Sequence, residues 1–67
     1  MNDSGKGERY ARIFRKAGVF LAKGNIAPAV AALKEGHSVA IELGDLKMAE
    51  RFAAEILNAE KPADPEG

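Results

Sequence analysis

The chain has 67 residues, with ten basic and ten acidic side chains, no cysteine and one histidine. Disulfides, thiolate metal sites and cysteine catalysis are excluded, and one histidine cannot build a zinc site alone. A net charge of zero gives no general preference for polyanions.

Such a length makes one domain at most, and a lone core of that size rarely supplies more than about 3–5 kcal/mol. Thirteen residues are alanine, whereas Leu, Ile, Val and Phe together number 15. A core built from these must pack helices closely, and help from a partner is expected. No apolar run approaches the length of a bilayer span. The start, Met1 to Gly7, is polar and carries no apolar signal core, so a cytoplasmic protein is expected.

The spacing predicts three helices. Residues 1–7 read as a disordered N-terminal tail. Tyr10, Ile13, Phe14, Ala17, Phe20 and Leu21 recur at three and four residues and predict a first helix over 8–23. Gly24 suits its left-handed C-terminal cap, and Asn25 suits the N-cap of a second helix over 26–43. Pro28 falls in the first turn of that helix, where its missing N–H costs nothing. The second helix has two apolar faces, one with Ile26, Val30, Leu33, His37 and Ile41, the other with Ala32, Gly36, Val39 and Leu43. It is expected to lie between two others. Gly44 and Asp45 repeat the punctuation and open a third helix over 46–60, with Leu46, Ala49, Phe52, Ala53, Ile56 and Leu57 as its apolar set. Residues 61–67, with Pro62 and Pro65, read as a disordered tail. Tight turns make neighbouring helices antiparallel. Close contact of the first two is assigned to Ala17, Ala29, Leu33 and Gly36.

Residues 13–57 resemble a tetratricopeptide repeat. Gly24-Asn25-Ile26 is similar to the family's turn between paired helices. Ala17 and Phe20 match its small and aromatic positions in the first helix. Ala29, Leu33 and Gly36 match positions of the second. Ala40-Ile41-Glu42-Leu43-Gly44-Asp45 is similar to the phrase that ends the second helix of long repeats. Phe52, Ala53 and Ile56 are then in register with a following repeat, 36 residues on from Ala17 to Ala53. Lys16 and His37 stand where the family places apolar residues, and Pro62 stops the second repeat after one helix. The resemblance implies an all-α, three-helix antiparallel array of one repeat and a half, with a third helix that no fourth helix covers.

Nothing in the sequence assembles an acid, a base and a nucleophile, so no enzyme is expected, and no cofactor or metal either. His37 has Glu35 on another helix face and Ser38 adjacent, neither placed to assist it, and reads as a structural or interface histidine. Gly5-Lys6 lacks the strand and the spacing of a phosphate loop. Arg9, Arg12, Lys16 and Lys23 share one face of the first helix, with Arg15 to one side. Residues 1–34 carry a net charge of +5 and residues 35–67 a net charge of −5. The expected function is protein–protein interaction through apolar helix faces flanked by charge, by self-association or within a larger assembly. The expected contact residues are Phe14, Leu21, Phe52, Ile56 and Leu57, flanked by Arg12, Arg15 and Lys16, with Glu50 and Glu55 opposite. Phe52 has a second reading, as a purely internal residue. The alternative function is a small nucleic-acid-binding regulator using the basic stripe. Gly18, costly inside a helix, suggests close approach of another group to that face.

Overall fold

Two glycines divide the chain. A computed structural model describes residues 2–61 as α1 (Asn2–Ala22), α2 (Ile26–Glu42) and α3 (Leu46–Glu60), with no strand among the described residues. Gly24 and Gly44 have φ of +79° and +73°, the left-handed region in which a side chain is strained. Each closes the same C-terminal motif. The Gly24 N–H donates to the Leu21 carbonyl at 3.0 Å and the Asn25 N–H to that of Phe20 at 2.8 Å. The Gly44 N–H donates to Ile41 at 3.0 Å and the Asp45 N–H to Ala40 at 2.8 Å. These bonds satisfy carbonyls that a helix end otherwise leaves without partners. In both cases the next residue is already the N-cap of the following helix.

The two N-caps differ. Asp45 accepts a hydrogen bond from the Met48 N–H at 3.4 Å, and a second from the Tyr10 hydroxyl at 3.3 Å. One carboxylate therefore caps α3 and ties it to α1, across 35 residues of sequence. Asn25 holds the N-cap position of α2, but its side chain makes no capping bond.

The second and third helices fall within one residue of the expected ranges. The first begins at Asn2, not near residue 8. Gly5, Gly7, Glu8 and Arg9 are exposed, so this extension gains no packing from them. It continues a hydrogen-bond ladder already nucleated by the packed part of α1, and propagation costs far less than nucleation. The expected C-terminal tail, from residue 62 on, lies outside the described residues.

The core is small and centred on Phe52, which is 0% exposed. Its ring stacks on Phe14 at 4.5 Å between centroids and meets Tyr10 at 5.7 Å, tilted by 59°. Ile13, Ala17, Ala32, Leu33, Val39, Ala40 and Ala49 complete the buried set around it, with Ile56 and Met48 packed against the edge. The floor beneath the ring is Gly36: a Cβ there would lie 2.8 Å from Phe52 Cδ1 and closer still to Cε1 and Cζ. This corrects one expectation. Ala17, Ala29 and Leu33 are buried as expected, but the small residue at 36 makes room for α3, not for α1. A glycine at that position lets the Phe52 ring of α3 press against α2 and still touch Phe14 and Tyr10 of α1.

Candidate interaction surface

Three surfaces remain outside this core. The first is the basic face of α1. Arg9, Arg12, Ile13 and Lys16 line a shallow depression with Glu35 of α2, of about 180 Å³. Lys16 Nζ stands 3.9 Å from Glu35 Oε1, with both side chains more than half exposed. Such a pair contributes little to stability, about 0–1 kcal/mol. Arg12 also lines a second depression with Arg15, Glu8 and Ala11. The stripe is therefore interleaved with carboxylates.

The second surface is the face shared by α1 and α3. Phe14 is half-buried, stacked on Phe52 on one side and covered by Arg51, whose guanidinium carbon is 5.3 Å from the ring centroid. That cation–π contact and the Phe52 stack cover part of the Phe14 ring. Of the expected contact residues, Phe52 is wholly internal, because the Gly36 gap draws its ring inward. Ile56 is half-buried against the core, and Leu21 is exposed near the end of α1. Glu50 is exposed and Glu55 half-buried. Gly18 is exposed, and among the described residues nothing lies within 4 Å of a Cβ placed there, so none of them makes the close approach it allows.

The third surface is the flank formed by α2 and α3. Leu57 is 69% exposed and Leu46 is 67% exposed. At about 100° per residue they stand roughly 120–140° round α3 from Phe52. The run Leu46, Glu50, Ala53, Leu57 has spacings of four, three and four, and forms a second stripe beside the core-facing one of Ala49, Phe52 and Ile56. On α2 the neighbouring stripe holds Ile26 and Ile41, 42% and 50% exposed. Ile26, Ala27, Val30, Ala31 and Lys34 of α2 join Glu60 of α3 around an open groove of about 510 Å³. His37 is half-buried on this side of α2.

The structure thus separates the expected contact set. Leu57 belongs to the α2–α3 flank, and Phe14 and Phe52 do not. Arg12, Arg15 and Lys16 lie on α1 and its cleft with α2. Leu46, Ile26 and Ile41 were assigned to packing from the sequence, yet they are open. For Leu46 and Ile41 the signal was angular offset, roughly 120–140° round the helix from Phe52 or Gly36; Ile26 lies only about 80° from Gly36 and is open as the first residue of α2.

Among the described residues no group of three His, Asp or Glu side chains is placed to hold a metal ion, and no helix is long and apolar enough to cross a membrane. No family model, no curated protein and no solved structure matches the chain.

Proposed function

We propose that this chain is a small protein–protein interaction module of tetratricopeptide-like organisation, working through an apolar helix flank bordered by charge. One observation carries the reading. Leu46 and Leu57 are about two-thirds exposed on one side of the helix whose other side closes the core. Among the described residues, Phe52 and Leu33 are the largest side chains that are fully enclosed. In so short a chain, aliphatic surface left open on a regular flank favours association over a self-sufficient monomer. A tetratricopeptide-like array supplies the geometry, because each repeat buries its face only by stacking on the next.

The nucleic-acid reading has less support. Glu35 pairs with Lys16, and Glu8 shares the depression lined by Arg12 and Arg15. Tyr10 and Phe14, the aromatic residues near the stripe, are engaged with Phe52 and are not free to stack on bases.

A photo-reactive amino acid in place of Leu57, and separately in place of Arg15, tests the reading in cells. The expected result is a discrete protein adduct from position 57 and none from position 15. Nucleic-acid adducts from position 15, with nothing from position 57, would overturn it.

A further inference from the structure

We propose that a second copy of this chain covers the α2–α3 flank, the two copies pairing about a two-fold axis into an antiparallel four-helix array. The inference rests on the interaction reading and names its partner.

The register follows from contacts within one copy. Gly36 lies beside Phe52, and Ile26 and Val30 share a groove with Glu60, so α2 and α3 run antiparallel over their whole length. The flank therefore has an apolar turn end, a charged middle and a far end where Ile26 and Leu57 stand with Glu60. Ile41 and Leu46 stand at the turn end, Ile26 and Leu57 at the far end, and Lys34 and Glu50 between them. A two-fold axis parallel to the helices lays α2 of one copy over α3 of the other at the same height. Ile41 then stands level with Leu46 of the other copy, and Ile26 lies about 7–8 Å along the axis from Leu57, within reach of its side chain only past the end of the stripe. Lys34 comes within about one helical turn, roughly 5–6 Å along the axis, of Glu50 of the other copy.

Charge selects this occupant. The flank holds both signs, Lys34 on α2 and Glu50 and Glu60 on α3. Under the two-fold the basic α2 face of each copy lies over the acidic α3 face of the other, whereas a partner of one sign would match one helix of the flank and oppose the other. The chain has zero net charge, so two copies do not repel one another. The pairing is isologous and closes on itself, with no apolar flank left to propagate a filament.

Sedimentation equilibrium of the purified full chain, from low micromolar to near-millimolar concentration, tests the pairing. The mass should rise from 7.1 kDa to twice that. Leu46→Glu with Leu57→Glu places like charges at both ends of the interface and should weaken the dimer about a hundredfold or more. The helical circular dichroism of that variant should persist, because both side chains are exposed in one copy. Lys34→Glu alone should weaken it about tenfold, and Lys34→Glu with Glu50→Lys should restore it. Should the double-glutamate variant lose its helical signal, Lys34→Glu decides: an unchanged dimer overturns the register. A dimer that is lost with Arg12→Glu and Lys16→Glu but survives the flank substitutions overturns the choice of face. A wild-type mass of 7.1 kDa throughout overturns the pairing. In that case a foreign protein adduct at position 57 keeps the interaction reading, and its absence removes that too.

Discussion

The two sides of α3 carry similar apolar residues and meet opposite fates. On one side Phe52 is wholly enclosed, seated over Gly36 and held between Phe14 and Tyr10. On the other, Leu46 and Leu57 are two-thirds exposed. Hydrophobicity alone does not decide between them. The buried side has a glycine opposite and two aromatic rings converging from α1, so one large side chain organises all three helices. The open side has a helix neighbour, α2, but no second layer above it. A residue becomes core where elements converge from two directions, and a short array of three helices supplies that on one side only.

The largest expected effect breaks the closed side. Phe52→Ala removes the residue shared by all three helices and should cost about 3–5 kcal/mol. That is comparable to the whole stability expected of a core this size. Circular dichroism of the variant should show a largely unfolded chain at room temperature; a cooperative melt near that of the wild type would mean that the Phe52 contacts are not the keystone.

Gly36→Ala comes next, and its sign is informative. In an open helix the change would stabilise, since alanine is about 1 kcal/mol better than glycine. Here the added methyl enters the space of the Phe52 ring. Overpacking of about 1–3 kcal/mol should outweigh the propensity gain and lower the denaturation midpoint. Gly18→Ala is the matched control. A Cβ at 18 meets nothing within 4 Å, so this substitution should raise stability by about 0.5–1 kcal/mol. If both glycine substitutions moved the midpoint the same way, the distinction between the two sites would fail.

Tyr10→Phe isolates the tie between α1 and the α2–α3 turn. Loss of the 3.3 Å hydrogen bond to Asp45 should cost about 0.5–1.5 kcal/mol with ring packing preserved. Leu57→Ala should be the mildest, within about 0.5 kcal/mol when measured at concentrations where one copy prevails. A large loss there would place Leu57 in the core of the single copy.

The three helices and their breaks were legible in the sequence because two local signals coincide at each. A glycine able to take positive φ is followed by a residue able to cap the next helix, at Gly24-Asn25 and again at Gly44-Asp45. The start of α1 was less legible, since glycines at 5 and 7 oppose a helix locally while continuity with the packed part of α1 favours it. The role of Gly36 was half legible: its size announces a close approach, but not which helix approaches. The fate of Phe52 depended on that answer. The candidate surface was obscured for a similar reason. Periodicity places Leu46, Ile26 and Ile41 on apolar faces, but whether another layer covers a face depends on how many helices the chain can stack. Leu57 was placed in the contact set from the sequence, and the structure leaves it exposed.

Methyl nuclear magnetic resonance across a dilution series tests the central claim most directly, because it reads both sides of the molecule in one sample. The account predicts that the methyl signals of Leu46, Leu57, Ile26 and Ile41 move with concentration, while those of Leu33 and Ile13 in the core stay fixed. Movement confined to Val19 and Leu21 on α1, or no movement at any concentration, would contradict it.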